Sequence, residues 1–192
     1  MKTLLITGFE PFGGQTVNPS WEAVAQLPET IGQWTLYKMR IPVEYDTAPR
    51  QVLEKARELA AEAVISVGQA GGRNAVTPEV IGIDLREAAI PDNAGRLCKG
   101  EPIDEKGPDG IFSTLPVREM VAAIGEKGIP SKLSYSAGAY VCNDVLYNLL
   151  RYFEGTPVRA GFIHVPYIPG QGEPNIPLDD IVTALTAAIG AL

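Results

Sequence analysis

The chain has 192 residues, with 16 Lys and Arg against 23 Asp and Glu, one His, two Cys and 45% hydrophobic residues. A chain of this length can bury roughly 70% of its unfolded surface without disulfides or structural metal, so we expect residues 1–192 to form a single domain. Its formal charge is −7. Because neutralising phosphates requires clustered Lys and Arg, the charge and the lack of such a cluster disfavour nucleic acid as a partner.

Composition also limits the metal sites and the cellular compartment. One His and two Cys are too few for the three or four His and Cys ligands of common zinc sites, so no metal is predicted. The apolar run in residues 1–8 is too short for a secretory signal. No apolar stretch approaches the roughly 20 residues that span a bilayer. We therefore expect a cytoplasmic protein that does not enter a membrane.

Strand and helix patterns alternate in the first part of the chain. An apolar run ends at a glycine, and an Asn-Pro pair then supplies a helix N-cap and first helical residue. The predicted elements are a strand at Lys2–Thr7 ending at Gly8, a loop at Phe9–Gly14, a helix at Pro19–Leu27 capped by Asn18, a strand at Thr35–Ile41, a helix from Asp46 or Thr47 to about Ala61, and a strand at Ala63–Val67.

The alternation resumes after an irregular middle segment. Residues 74–114 are rich in turn signals, and we expect extended arms or hairpins there. The elements predicted after it are a helix at Val117–Lys127, strands at Lys132–Ser136 and Val158–Val165, a helix at Cys142–Phe153, and a last helix from Pro177. This alternation predicts an α/β fold, with a largely parallel sheet covered by helices on both faces.

The predicted sheet indicates where a site would lie. In open α/β sheets, ligands bind outside the carboxyl ends of the strands. Here these ends are followed by the segments after Thr7, Val67, Ser136 and Val165. We expect those four segments to hold the site.

Two side chains in these segments suit nucleophilic catalysis. His164 is the only histidine, so a Ser-His or Cys-His mechanism at neutral pH must use it as the base. Cys142 follows a loop of small residues at a predicted helix start, where free N–H groups favour a thiolate and can bind an oxyanion. Alternatively, His164 is a hydrogen-bonded core residue and Cys142 fills an apolar gap. The two together favour a cysteine nucleophile.

Other chemistries have weaker support. Cys98 has no helix start beside it, and its role is interpreted as incidental. The chain has no Gly-x-Ser-x-Gly elbow, no dinucleotide glycine fingerprint and no phosphate loop, so no nucleotide cofactor is expected. Phe9 and Phe12 flank Glu10-Pro11; they either form apolar walls for a flat ring or pack on the core. Spacing does not select one carboxylate from 23 acids to orient the histidine.

Five segments together resemble one enzyme family. They occur in the same order as in the family and cover nearly the whole chain. They are Gly8–Gly14 with Asn18-Pro19-Ser20, Gly68–Arg73, Pro91-Asp92-Asn93 with Gly95, Ala137-Gly138 with Tyr140–Asn143, and Phe162–Pro166 with Pro169 and Gln171. In these segments the chain resembles pyroglutamyl peptidase type I, the pyrrolidone-carboxylate peptidase family of cysteine peptidases.

The resemblance implies roles for individual residues. Cys142 would be the nucleophile, His164 the general base and Glu79 the carboxylate partner. It also implies a three-layer α/β/α sandwich with a mixed sheet, no cofactor, and commonly a homotetramer. The residues that it places at or near the substrate are Phe9, Phe12, Asn18, Gln69, Ile90, Tyr140 and Val141.

The implied reaction removes an N-terminal pyroglutamyl residue from a peptide through a thioester on Cys142. Two alternatives stay open at this point. One is a cysteine amidase that acts on another small cyclic or acyl amide. The other is a binding protein on a degenerate peptidase fold, against which the presence of Glu79, Cys142 and His164 argues.

The chain departs from the family pattern between Glu79 and Pro91. The bacterial pattern usually has Arg directly after the Glu, Asn five residues on and Arg ten residues on; here these positions hold Val80, Asp84 and Ala89. Arg86 lies three residues before Ala89. If residues 79–90 form one extended strand, this odd offset points Arg86 away from the site. Oxyanion stabilisation would then depend on backbone N–H groups around Cys142.

Overall fold

The fold is an α/β sandwich built on one mixed sheet, seen in a computed structural model that describes residues 1–192. Its elements in chain order are β1 (Lys2–Phe9), α1 (Pro19–Gln26), β2 (Thr30–Ile31), β3 (Trp34–Ile41), α2 (Thr47–Glu58), β4 (Ala63–Gln69), β5 (Thr77–Pro78), β6 (Ile81–Ile83), β7 (Arg86–Glu87), β8 (Lys99–Glu101), β9 (Gly110–Phe112), α3 (Val117–Gly125), α4 (Val141–Tyr152), β10 (Arg159–Val165) and α5 (Leu178–Gly190).

The central sheet has six strands in the order β2-β3-β1-β4-β10-β5. Strands β3, β1, β4 and β10 are parallel, whereas β2 and β5 pair antiparallel at the two edges. The predicted α/β fold with a mostly parallel, mixed sheet is confirmed. None of the helices is long and apolar enough to cross a membrane.

Helices cover both faces of the sheet. Leu4 and Ile6 of β1 belong to the hydrophobic core beneath α1, α3 and α5, whereas Leu5 belongs to the core beneath α2 and α4. Successive side chains of a strand point to opposite faces, so a strand buried on both faces reads as a continuous apolar run. In β10 the same alternation puts Phe162 on the α4 face, and His164, two residues on, shares that face.

Strand β1 does not end at Gly8, as the sequence predicted, but continues to Phe9. The glycine is needed for a different reason. A Cβ atom at Gly8 would lie 2.6 Å from the Cα atom of Trp21 in α1. Glycine in a strand interior often marks such a close backbone approach, and here it lets α1 pack on the strand.

The strand predicted at Lys132–Ser136 is wrong. Within this segment only Ser134 forms an isolated bridge, with Glu79, and Ser131 just before it forms another with Val76. The Ser134 hydroxyl donates to the carbonyl oxygen of Ser136 at 3.1 Å. Serine side chains that bond to nearby backbone offer the chain an alternative to a strand ladder, so the apolar pattern did not produce a strand.

The middle of the chain forms two small antiparallel pairs, β6 with β9 and β7 with β8, which confirms the hairpins expected there. Continuous extension over residues 79–90 is wrong. The chain leaves its strand path at Asp84, whose side chain accepts the N–H groups of Ile103 and Asp104 at 2.6 and 2.8 Å. An irregularity in register then follows at Arg86 and Glu87. The three-residue offset between Arg86 and Ala89 therefore does not decide where the Arg86 side chain points.

Candidate active site

A histidine–carboxylate pair lies at the carboxyl edge of the sheet. His164, near the end of β10, is in register with Gly68 of β4 and with Thr77 of β5. Its Nδ1 atom lies 2.7 Å from Oε1 of Glu79, which follows β5. His164 is 3% exposed and Glu79 is 0% exposed. The antiparallel edge strand β5 thus brings Glu79 to the predicted histidine.

The charge states of this pair follow from burial and hydrogen bonding. Burial raises the pKa of Glu79, but the hydrogen bond and charge of His164, with help from Ser134 and Arg73, outweigh it and lower the pKa overall. Burial lowers the pKa of His164, against the opposing effect of Glu79. At neutral pH an ionised carboxylate therefore faces a neutral imidazole. We assign the imidazole proton to Nδ1, which leaves Nε2 free to accept a proton.

Cys142 is the second residue of α4, at the helix start that the sequence predicted. Its sulfur lies over Gly68, since a Cβ atom added to that glycine would be 2.9 Å from Sγ. Gly68 is the register partner of His164, and paired residues of neighbouring parallel strands lie about 4.8 Å apart. The structure therefore brings Cys142, His164 and Glu79 together around one point of the sheet edge.

The state of the Cys142 thiol differs from the sequence prediction. Burial, followed by the charge of Glu79, raises its pKa to about 12, and Arg73 opposes this rise. The expected lowering of the pKa by the helix start is wrong, because loss of water and a nearby carboxylate outweigh the partial charge of the helix. At neutral pH the thiol is protonated, so this cysteine needs a base to become a nucleophile.

A narrow, uncharged cavity opens beside the Cys142 sulfur. It has a volume of about 210 Å³, which includes the open space at its mouth. The residues that line it are Phe9, Phe12, Asn18, Val43, Gln69, Tyr140 and Cys142. Five of the seven substrate-side residues named from the sequence are among them, and Val43 was missed. Ile90, which is 45% exposed, and Val141, which is fully buried, lie outside this lining.

Aromatic rings form one wall of the cavity. The centroids of Phe12 and Tyr140 are 6.1 Å apart, and Tyr45 supports Tyr140 from behind, edge to face at 5.6 Å. The Tyr140 hydroxyl donates to the carbonyl oxygen of Pro91 at 3.0 Å. The wall therefore presents apolar ring surface to the cavity, and the Tyr140 hydroxyl has its hydrogen-bond partner outside the cavity.

Two amide side chains supply polar groups at the cavity. Asn18 accepts the Ser20 N–H at 3.1 Å, which confirms it as the N-cap of α1, and donates to the carbonyl oxygen of Glu10 at 2.9 Å. Gln69 accepts from Gln171 through Oε1 at 3.2 Å. An amide nitrogen carries two donor hydrogens. Asn18 therefore has one amide hydrogen, and Gln69 has two, without a hydrogen-bond partner in the protein.

The Pro91-Asp92-Asn93 segment holds the loops that carry the cavity. Asp92 accepts the Tyr45 N–H at 2.9 Å. Asn93 donates to Glu10 Oε1 at 2.7 Å and to the carbonyl oxygen of Pro11 at 3.0 Å. This supporting role connects parts of the chain that are some 80 residues apart, so no local pattern indicated it.

Arg86 lies in a buried ion pair away from the histidine–carboxylate pair. Its Nε atom donates to Asp144 Oδ1 at 2.8 Å and its Nη2 atom to Asp46 Oδ1 at 2.5 Å. The Asp144 carboxylate is fully buried. Arg86 makes no hydrogen bond to Glu79, Cys142 or His164, so it does not replace the missing arginine at Ala89.

A larger cavity exists but carries no candidate chemistry. It has a volume of about 1240 Å³, on the same basis as the 210 Å³ of the cavity beside Cys142. It lies at the opposite, amino-terminal edge of the sheet, where Lys2, Trp34 and Arg159 line it. None of its lining residues is Cys, Ser or His. The structure brings together no group of three or more His, Cys, Asp or Glu side chains that could hold a metal ion. The candidate catalytic groups are those at the carboxyl edge.

Comparison with known proteins agrees with this geometry. The family model described as pyroglutamyl peptidase matches residues 1–192. A pyrrolidone-carboxylate peptidase of Chromobacterium violaceum is 46% identical over 98% of this chain and 91% of that protein. One from Levilactobacillus brevis is 45% identical over 98% of this chain and 96% of that protein. The crystal structure of Bacillus amyloliquefaciens pyroglutamyl peptidase I superimposes with a TM-score of 0.96 at 40% identity, covering 100% and 96% of the two chains.

The α/β sandwich, with a cysteine at a helix start beside a histidine–carboxylate pair, has the arrangement of a cysteine hydrolase. Within that class, the match over the full chain decides the family. The chain belongs to the pyroglutamyl peptidase family.

Proposed function

We propose that this protein is a pyroglutamyl-peptidase I, a hydrolase that removes an N-terminal pyroglutamyl residue from peptides, with residues 1–192 acting as one peptidase domain. The observation that carries the proposal is the uncharged, aromatic-walled cavity that opens directly on Cys142. Membership of the family supports the same substrate class.

The reaction begins with proton transfer from Cys142 to His164. Because the thiol pKa is raised to about 12 and His164 is neutral, Nε2 of His164 takes the thiol proton as the sulfur attacks the pyroglutamyl carbonyl carbon. The positive charge that develops on the imidazole is stabilised by the Glu79 carboxylate at 2.7 Å from Nδ1. Glu79 also holds the tautomer that leaves Nε2 basic.

The oxyanion of the tetrahedral intermediate lies near the start of α4. The first N–H groups of a helix have no intrahelical partner, and Cys142 is the second helical residue. These N–H groups are therefore placed to stabilise the negative charge. His164 then returns the proton to the leaving amine, which gives the free peptide and a thioester on Cys142. A water activated by His164 hydrolyses the thioester and releases pyroglutamate.

Specificity for pyroglutamate follows from the absence of charge in the cavity. A pyroglutamyl ring is a neutral lactam, whereas a glutaminyl or glutamyl residue carries an α-ammonium. None of the seven lining residues is an acid that could pair with an ammonium. Burying an unpaired charge is costly, so the site discriminates in favour of the lactam. The free amide hydrogens of Asn18 and Gln69 are donors for the carbonyl of the ring.

The pyroglutamyl ring would lie against Phe12 and Tyr140, which line the cavity. A wall that contacts the ring rather than the reacting carbonyl contributes equally to binding in the ground state and in the transition state. Phe12→Ala should therefore raise KM more than it reduces kcat.

The assay compares a pyroglutamyl amide with the matching glutaminyl amide, before and after treatment with iodoacetamide. We expect turnover of the pyroglutamyl amide, loss of that turnover on alkylation, and at least about 100-fold slower cleavage of the glutaminyl amide. Comparable turnover of the two amides, or faster turnover of another acyl amide in a panel, would contradict the proposed specificity.

We further propose that the enzyme works as a homotetramer in the cytoplasm. Two observations support this. Phe112 is 68% exposed and Tyr135 is 64% exposed, which leaves both rings available for contacts between subunits. Both cysteines are free, as in proteins of reducing compartments. Light scattering coupled to size-exclusion chromatography measures the molar mass of the protein in solution. We expect four times the mass of one chain, and the mass of one chain would contradict the tetramer.

A further inference from the structure

Arg73 lies beside Glu79, and no step of the proposed reaction uses it. It lies in the loop between β4 and β5, and its side chain is 26% exposed. It is not among the residues that line the cavity beside Cys142. Its guanidinium nevertheless contacts three separate parts of the site.

The first two contacts are made to the Glu79 carboxylate and to the hydroxyl of Thr77 near it. Nη1 of Arg73 donates to Glu79 Oε1 at 2.7 Å and to Thr77 Oγ1 at 2.6 Å. The other carboxylate oxygen, Oε2, is buried and has no hydrogen-bond partner. The Ser134 hydroxyl is close to Glu79 and helps to lower its pKa. In the structure this hydroxyl donates to the carbonyl oxygen of Ser136 and not to Oε2. Oε1, shared by Arg73 and His164, therefore fixes the orientation of Glu79.

The third contact reaches the loop before the nucleophile. Nη2 of Arg73 donates to the carbonyl oxygen of Ser136 at 2.9 Å, six residues before Cys142. One rigid guanidinium fork thus joins the Glu79 carboxylate to the loop that leads into α4. A planar fork fixes relative positions in a way that a single ammonium does not.

We propose that Arg73 is a positioning residue of the catalytic site, which holds Glu79 against His164 and holds the loop that presents Cys142. This inference rests on the proposed function for its rate measurements, although its effect on the thiol does not require turnover. Arg73 touches neither the cavity nor the reacting atoms, so its removal should lower kcat and leave KM nearly unchanged.

The charge of Arg73 gives a second effect that a purely structural residue would lack. Arg73 lowers the pKa of His164 and the pKa of Cys142. Removing this charge therefore raises both pKa values. The acid limb of the pH profile then moves to higher pH, and alkylation of Cys142 at a fixed pH becomes slower.

The experiment compares Arg73→Gln, Arg73→Lys and the wild-type protein. For Arg73→Gln we expect kcat about 10- to 100-fold lower, which matches the loss of one hydrogen bond to a charged group, with KM changed less than about threefold. We also expect an acid limb at higher pH and slower iodoacetamide labelling of Cys142. Arg73→Lys keeps the charge but not the fork, so its kcat should fall while its acid limb stays near that of the wild type.

Arg118→Gln is the matched control, since Arg118 is exposed on α3, on the other face of the sheet. It should change none of these quantities. Unchanged kcat and labelling in Arg73→Gln would overturn the inference. Equal losses in both Arg73 variants without any shift of the acid limb would also overturn it, because they would indicate a structural role alone. If the wild-type protein does not cleave pyroglutamyl amides, the proposed function fails, and the labelling rates still decide the role of Arg73.

Discussion

A Cβ atom added to Gly68 would lie 2.9 Å from the Cys142 sulfur and 2.7 Å from the Phe162 ring. Atoms this close must move apart. Gly68, the register partner of His164, therefore leaves the space that the sulfur of Cys142, the proposed nucleophile, occupies. The glycine serves the close approach of α4 to the sheet rather than a turn.

We expect Gly68→Ala to displace the sulfur and to lower kcat by about 100-fold or more, because a shift of about 1 Å can cost that much. Overpacking of the site should also cost about 1–3 kcal/mol of stability. Kinetics and chemical denaturation measure the two effects. Gly190→Ala is the control, since a Cβ atom at Gly190 meets nothing within 4 Å; a Gly68→Ala protein as active as this control would contradict the geometry.

Alkylation should distinguish the two cysteines. Cys98 is buried, whereas Cys142 is partly accessible and lies next to a base. We expect iodoacetamide to modify Cys142 first, with activity lost in parallel, as peptide mapping by mass spectrometry would show. Faster labelling of Cys98, or full activity after Cys142 is alkylated, would remove Cys142 from the mechanism.

Glu79→Gln should leave the fold intact and lower kcat by about 10²- to 10⁴-fold, a smaller loss than in Cys142→Ala. The Gln amide can donate to Nδ1 of His164, which puts the proton on Nε2 and removes the base. Steady-state kinetics measures the loss, with circular dichroism as the folding check. An unchanged rate would mean that another carboxylate, Asp84 or Glu87, acts or that the reaction needs no carboxylate. Asp84 already accepts two backbone N–H groups, and Glu87 is exposed.

The pH dependence of kcat/KM should reflect the lowered pKa of His164. The neutral imidazole is the active form, and burial lowers its pKa below the ordinary value of 6.5. Activity should therefore persist at pH 6.5 and fall only as the pH drops further. Because Glu79 raises the pKa of His164, the residual acid limb of Glu79→Gln should lie at still lower pH. An acid limb centred above pH 6.5 in the wild-type protein would be incompatible with this assignment.

Arg86→Ala should affect stability far more than turnover. Removing Arg86 leaves the buried Asp144 carboxylate without its partner, which typically costs about 3–5 kcal/mol. Under conditions where the variant is folded, kcat should change less than about tenfold, well below the loss of an oxyanion donor. Arg151→Ala, which removes exposed ion pairs, should cost about 1 kcal/mol or less. A folded Arg86→Ala protein that is 100-fold slower would show that Arg86 acts on the reaction.

Local patterns were enough to predict most helices and strands, and they singled out Cys142 and His164, which the structure brings to the same edge of the sheet. The alternation of apolar runs indicated an α/β sheet, and ligand sites in such sheets lie at the strand ends. A helix start and a strand end are local features, and the composition leaves one histidine. The carboxylate was different, because Glu79 lies 85 residues from His164. No spacing selects such a partner, and only the resemblance named it.

The tertiary structure decided the properties that depend on contacts between distant segments. The sequence context of Cys142 predicted a lowered thiol pKa, but burial and Glu79 raise it to about 12. Arg86 pairs with Asp144 across 58 residues, and Arg73 joins Glu79 to Ser136. Helix and strand patterns follow from neighbouring residues along the chain. The charge state and position of a catalytic group follow instead from solvent exclusion and from the charges that the fold brings to within a few ångströms.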